Sequence, residues 1–256
     1  MLKDILSHPL TRDLPLDDPR LISLRLKIVQ EKGFLKNIYT QWYRLVLRHL
    51  PKSPLPVVEL GTGPGFLQEL LPGLITSDLI ACRNVNVVVN AQDLPFPTAS
   101  LGSIVMFDVL HHIQNPRSFF LSATRCVEVG GRILMIEPWN TPWSHWVYTH
   151  LHHENFEPTA EAWELSATKP LSQANGAIPW ILFSRDRSRF FLDFPTWQID
   201  FIQPFMPLAY LVSGGFTTLL SPPSWSYPII HAIENVLSPI NHSIGMFALI
   251  CLHRID

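Results

Sequence analysis

Apolar positions change their period twice along the chain. From Pro19 to Leu50 the residues Leu21, Leu24, Ile28, Leu35, Ile38, Trp42, Leu45 and Val46 fall near helical spacing with basic residues between them, and Gly33 interrupts the run, so two helices are expected. Lys52-Ser53-Pro54 reads as a linker. After it, short β-branched and apolar runs alternate with short helical ones. Strands are expected at Pro56 to Glu59, Leu74 to Ser77, Val85 to Val89, Ser103 to Phe107 and Arg132 to Glu137. A short helix is expected around Phe66 to Leu71, and an amphipathic one over Pro116 to Val127 closed by Gly130-Gly131. Strands alternating with helices in this way predict a parallel α/β sheet.

The alternation stops at Pro138. From there to Met206 the chain carries six of its eight Trp and a helical pattern over Trp143 to His153, which reads as an inserted cap. Regularity returns with a helix at Pro207 to Ser213 ended by Gly214-Gly215, a strand at Phe216 to Leu220 and a last strand at Met246 to His253. The expected organisation is a helical lid (1–51), a core (52–138 and 207–256) and a cap (139–206).

Charge sharpens this picture. Only 16% of the 256 residues are charged against 47% apolar, and mean hydropathy is +0.16. From Phe201 to His253 the single formal charge is Glu234. Eight Pro and Gly residues between Pro204 and Pro239 break that tail, so no run of roughly 18 to 20 apolar residues survives to span a bilayer. A net charge of -2 offers no footprint for a phosphate backbone, which argues against a nucleic-acid partner. Cys82, Cys126 and Cys251 are odd in number and far apart, which speaks against a disulfide framework or a zinc site. No apolar run of signal-peptide length precedes the first acidic residues, so a cytoplasmic protein is expected.

The candidate chemistry begins at Glu59-Leu60-Gly61-Thr62-Gly63-Pro64-Gly65, directly after the first strand. Glycines there permit positive φ and close backbone approach, and the N-terminus of the expected helix presents unpaired N–H groups to a ligand. A dinucleotide fingerprint would need a third glycine where Phe66 stands, so that reading fails. The spacing E-x-G-x-G-x-G resembles class I S-adenosylmethionine-dependent methyltransferases, of the type 11 methyltransferase-domain family. Further motifs follow in the family's order: Asp78 after the second strand, Asn90-Ala91-Gln92-Asp93-Leu94-Pro95-Phe96, Asp108-Val109-Leu110-His111-His112-Ile113, and Gly130-Gly131-Arg132-Ile133-Leu134.

The resemblance implies a Rossmann-like α/β sheet and S-adenosyl-L-methionine as cofactor. It implies that Glu59 orients the loop and meets the methionine amino end, that Gly61, Thr62, Gly63 and Gly65 pass close to the cofactor, and that Asp78 with Leu79 takes the ribose hydroxyls. Gln92, Asp93 and Leu94 would meet the adenine, and Asp108, Leu110 and His111 would sit beside the sulfonium. Only Leu79 to Asn84 separates the second and third strands, where the family usually inserts a helix, so the adenine wall is expected to be abbreviated.

In-line methyl transfer requires an acceptor held in attack geometry, with a base where a proton must leave. By the same resemblance His112 is a candidate base, partnered by Tyr39 or Tyr43, while the alternative places His112 at a helix entry and the tyrosines in a core face. His145, Tyr148 and His152 on the expected cap helix are candidate acceptor contacts, and no metal is expected. The aromatic cap favours a small-molecule or lipid- or glycan-type acceptor, with oxygen the favoured target. The alternatives are a cofactor-binding scaffold without turnover and a protein or RNA methyltransferase. Ser221 to Gly245 is an apolar connection expected to pack on the cap or on a second subunit of a homodimer; a peripheral membrane contact is the alternative.

Overall fold

The computed structural model describes residues 20–151, 154–165, 174–216, 218–219 and 221–256. Its strands are β1 (Val57–Leu60), β2 (Ile75–Asp78), β3 (Val87–Val88), β4 (Leu101–Phe107), β5 (Val127–Pro138), β6 (Trp197–Phe205) and β7 (Phe247–Arg254). They form one sheet in the order β3-β2-β1-β4-β5-β7-β6. Strands β1 to β5 run parallel, β7 is antiparallel to β5, and β6 is antiparallel to β7. Every residue of β4 is buried, as a central strand covered on both faces requires.

The helices are α1 (Arg20–Glu31), α2 (Gly33–Leu47), α3 (Pro116–Cys126), α4 (Pro142–His150), α5 (Ile178–Trp180), α6 (Arg187–Asp193), α7 (Ala209–Ser213), α8 (Tyr227–Leu237) and α9 (Asn241–Ile244), with a π-turn at Ile181–Arg185 joining α5 to α6. Two of them start as their sequences dictate. Asn115 accepts from Ser118 N–H with Pro116 in the first turn of α3, and Thr141 and Ser144 form a reciprocal cap on α4 ahead of its exposed outer face. Between β1 and β2 the expected helix is a single 3-10 turn, Leu67–Glu69, and no helix separates β2, β3 and β4.

Three expectations change. The strand expected at Phe216 to Leu220 lies partly outside the described residues, at Thr217 and Leu220, and the sixth strand is Trp197–Phe205, which pairs with β7 from Trp197 opposite Arg254 to Phe205 opposite Phe247. The chain segment between β5 and the return to the sheet therefore ends at Thr196, before the expected cap boundary. Gly130-Gly131 does not close α3, which ends at Cys126. It forms a bulge within β5, where Val127 pairs with Leu101 and Arg132 with Ser103. A Cβ on Gly131 would stand 2.7 Å from Gly102 O, so the bulge needs a glycine there. The third strand is reduced to Val87–Val88.

Helix α2 covers the sheet with Phe34, Leu35, Ile38, Tyr39, Trp42, Tyr43 and Val46. Trp42 is fully buried, stacked on Tyr210 at 5.8 Å and tilted against Phe247 at 5.0 Å. The uncharged tail divides in two. Strand β7 is inserted between β5 and β6 and buried from Phe247 to Leu252, which excludes charge. The Ser221 to Gly245 connection folds largely as α8 and α9. The inner side of α8 packs through Tyr227, edge-on to Phe34 at 5.3 Å, and through Glu234. Its outer side leaves Ile229, Ile233 and Val236 exposed, with Trp225 exposed in the 3-10 turn before it. Among the described residues no helix is long and apolar enough to cross a membrane.

Glu234 explains why the tail keeps one charge. It is buried, and Oε1 accepts Leu208 N–H at 2.9 Å and Ala209 N–H at 2.8 Å, at the start of α7. Glu234→Ala strands two buried donors and is expected to cost about 2 to 4 kcal/mol, seen as a lower denaturation midpoint in urea. Glu234→Gln, which keeps an acceptor, is expected to lose less than half as much; equal losses would show that the hydrogen bonds are not the cause.

Candidate active site

The loop after β1 is held from both sides. Gly61 has φ +65° and its missing Cβ would lie 2.6 Å from Val109 Cγ2, so a side chain there collides and strains the backbone together. Thr62 ties the loop to β2: its N–H donates to Ser77 O, its Oγ1 accepts from Ser77 N–H, and its hydroxyl donates to Glu59 Oε2 at 3.1 Å. Gly63 N–H donates to Asp78 Oδ2 at 2.9 Å, and Ile80 N–H donates to Oδ1. The Asn84 amide donates to Gly63 O at 3.0 Å, a tether for which the sequence carries no signal. Phe66 N–H donates to Tyr43 Oη at 3.1 Å. Tyr43 is thereby turned into the loop's support.

In front of the loop lies a cavity of about 490 Å³. Of the residues expected at a cofactor, Gly61, Gly63, Asp78, Leu79, Gln92 and Asp108 form its wall. Glu59, Thr62, Leu110 and His111 are buried behind that wall, and Gly65 stands beside Glu59 and Tyr43. Asp93 and Leu94 correct the expectation: Asp93 is exposed outside the cavity, and Leu94 is buried with its N–H on Ser122 Oγ. Val89, Asn90 and Ala91 join Gln92 in the wall.

At the other end the wall includes Tyr39, His112, Tyr148, Glu154, Tyr210 and Phe247. Tyr39 and His112 therefore both face the cavity, and Tyr43 does not. Tyr148 faces it too, with its hydroxyl donating to Met246 O at 2.8 Å. His145 is exposed on the outer side of α4, its ring 6.1 Å from Phe156 and away from the cavity. His152 lies outside the described residues. Burial pushes the Tyr39 and Tyr148 hydroxyls above the ordinary phenol range, with nearby Asp108 adding to it, so both are hydrogen-bonding phenols at neutral pH. Lys32 closes this end from outside, donating from Nζ to Gly215 O and Thr218 O, both in residues of the wall. Its burial lowers the ammonium pKa to about 8.

The turn after β4 carries the strongest electrostatics. Asp108 adopts φ +63°, a strained conformation for a residue with a Cβ, and its N–H is fixed on Ile136 O at 2.8 Å. Glu137 at the end of β5 accepts Val109 N–H at 2.9 Å and Leu110 N–H at 2.7 Å on Oε1, while Oε2 lies 2.8 Å from His111 Nδ1. Burial pushes the Asp108 carboxyl up to about 7, with His111 pulling the other way. Burial also opposes charge on His111, but Glu137, Glu154 and Asp108 outweigh it and hold the ring's pKa well above its usual value. Glu137 and its long-range contacts were missed from sequence, where it is one acidic residue ending an apolar strand. Ligand-capable atoms of His111, His112 and Glu154 lie within 4.8 Å of one another.

Residues 58–135 match the family model described as methyltransferase domain. No curated protein sequence matches the chain. Solved structures do. One is the complex between the Haloferax volcanii Trm112 methyltransferase activator and the putative methyltransferase, with TM-score 0.54 and 13% identity over 95% of this chain and 100% of that one. A possible histamine N-methyltransferase from Thermotoga maritima gives TM-score 0.54 at 15% identity, over 92% of this chain and 99% of the other. Geranyl diphosphate C-methyltransferase from Streptomyces coelicolor A3(2), solved with Mg2+, geranyl diphosphate and S-adenosyl-L-homocysteine, gives 0.52 at 14% identity, over 98% and 90%. At these identities the likeness is one of fold. With the family match over residues 58–135, it gives the chain the Rossmann-like class I methyltransferase fold.

Proposed function

We propose that the chain binds S-adenosyl-L-methionine in the cavity and transfers its methyl group to an oxygen of a small-molecule, lipid- or glycan-type acceptor. The observation that carries the reading is the position of Asp78. Its carboxylate is braced by Gly63 N–H and Ile80 N–H at the cavity wall, beside Val89, whose N–H donates to Asp78 O, so a ribose diol entering there meets an acceptor-only group already in place. Gly61 and Gly63 leave their backbone bare for the methionine part, and Asp108 faces the reacting end.

In this reading Glu59 sets the loop through Thr62, and the transferred methyl points to the end walled by Tyr39, His112, Tyr148 and Phe247. His112 and Tyr39 orient the acceptor there, with Tyr39 as a hydroxyl donor. The aromatic wall suits a partly apolar acceptor. A lipid-type acceptor also gives the uncovered face of α8 a use: α8 packs on α7, whose Tyr210 and Leu211 line the cavity, so contact of Trp225 and Ile229 with a membrane surface brings the cavity close to it.

Titration with S-adenosyl-L-homocysteine followed by calorimetry tests the cofactor reading. The wild type is expected to bind; Asp78→Ala loses charge-assisted contacts of about 1.5 to 3 kcal/mol, a roughly ten- to hundredfold weaker Kd. Gly61→Val is expected to bind nothing detectable. An unresponsive wild type, or equal affinity in all three, would sink the reading, and binding without methyl transfer across acceptor panels would favour a scaffold.

Glu59 supplies a pH test of the loop. Its burial raises the carboxyl from 4.5 to about 8, so the folded protein holds a proton there that the unfolded chain releases above pH 4.5. The stability this proton contributes is complete below pH 4.5 and is lost as pH rises to about 8. Glu59→Gln has no such loss. The melting temperature of the variant minus that of the wild type should therefore increase from pH 5 to pH 9, and a constant difference would refute the assignment.

A further inference from the structure

The acceptor end of the cavity holds a cluster that binding of the cofactor leaves unused. His111 is fully buried, and its Nδ1 faces Glu137 Oε2 at 2.8 Å, which fixes the ring with Nε2 turned the other way. Among the described residues Nε2 has no hydrogen-bond partner: Glu154 Oε2 stands at 3.6 Å and Asp108 Oδ1 at 3.9 Å. A ligand-capable nitrogen of His112 and an oxygen of Glu154 complete a group within 4.8 Å, and both residues line the cavity.

Two physical facts point the same way. An imidazole backed on one nitrogen by a carboxylate and aimed with the other at a second imidazole and a carboxylate is the arrangement metal-binding histidines adopt, because the backing fixes tautomer and ring direction and raises basicity. Asp108, Glu137 and Glu154 also place three carboxyl groups within 3.9 Å of one ring, a concentration of acid that a bound cation offsets.

We propose that His111, His112 and Glu154 form a site for a first-row divalent cation, with its remaining positions open to an oxygen of the methyl acceptor. Two nitrogens and a carboxylate suit zinc, manganese or cobalt better than calcium or magnesium. An ion held by three protein ligands keeps room for substrate and increases the acidity of a hydroxyl bound to it. The acceptor this site selects carries a hydroxyl next to a second oxygen donor, as a vicinal diol or hydroxy acid does. That substrate class rests on the methyl-transfer reading; the ion site does not.

The experiment uses the full chain, stripped with chelator, dialysed against Zn2+ and measured by elemental analysis, with Co2+ absorbance in the visible as a second readout of coordination. One ion per chain and a Co2+ d–d band are expected. His112→Ala and Glu154→Gln are each expected to weaken Zn2+ binding at least tenfold while retaining the wild-type circular dichroism spectrum. No ion on the wild type overturns the proposal whatever the variants do. Binding that survives in either variant also overturns it, since ions held by exposed histidines such as His150 would behave in that way. Homocysteine-product binding is measured on the same samples: its absence with the ion present defeats the cofactor reading alone, and its presence with no ion defeats the metal site alone.

Discussion

Glu137 is the interaction on which the site depends. A buried carboxylate at the end of β5 accepts two backbone N–H groups and faces one imidazole nitrogen, and all three partners belong to the turn after β4. Those contacts compensate for burying the acid, and they fix the turn in one conformation. Asp108 can then sit at positive φ, a position that local propensity does not favour, because its neighbours on both sides are pinned. The turn in its turn packs Val109 against Gly61, so the glycine loop and the carboxylates behind the acceptor end are parts of one braced unit.

The opposite half of the site is built with less material. A single 3-10 turn follows the glycine loop, and no helix covers the crossings from β2 to β4. Backbone and side-chain hydrogen bonds do the work a helix would do: Asn84 on Gly63 O, Tyr43 on Phe66 N–H, Asp78 on Gly63 N–H. The loop is therefore fixed by polar contacts that are short in range and specific in direction. Beyond β3, Asn90 and Ala91 line the cavity while Asp93 is exposed and Leu94 is buried in the core.

What was legible in the sequence was local. The loop could be read because glycines at positive φ leave a spacing, and the parallel strands because burial on both faces leaves continuous apolar runs. The helix starts at Asn115 and Thr141 follow cap chemistry that lies within four residues. The sixth strand was misread because Trp197–Phe205 alternates between buried and partly exposed positions and gains its place only by pairing with β7, about fifty residues later. Gly130-Gly131 reads equally well as a helix stop or a bulge, and only the partner strand decides. His145 illustrates the same limit: its place in a histidine-rich helix says nothing about which face of α4 meets the cavity, and that is settled by Val147 and Tyr148 turning inward.

The two ends of the cavity differ in how they are assembled, and this governs what can be inferred about each. The end assigned to the cofactor comes from residues 59 to 92, contiguous in sequence and tied to one another. The acceptor end draws Tyr39 from α2, His112 from the turn after β4, Tyr148 from α4, Tyr210 from α7 and Phe247 from β7. Each of those side chains is also a core residue or a neighbour of one, with Tyr210 stacked on Trp42 and packed against Phe247. The shape of the acceptor end thus follows from how α2, α4 and α7 pack on the last strand, and a change in that packing alters the acceptor without touching the glycine loop. The near absence of charge from Phe201 to His253 belongs in part to the same design: Phe247 to Leu252 is buried inside the sheet, and the stretch's one acid holds the start of α7.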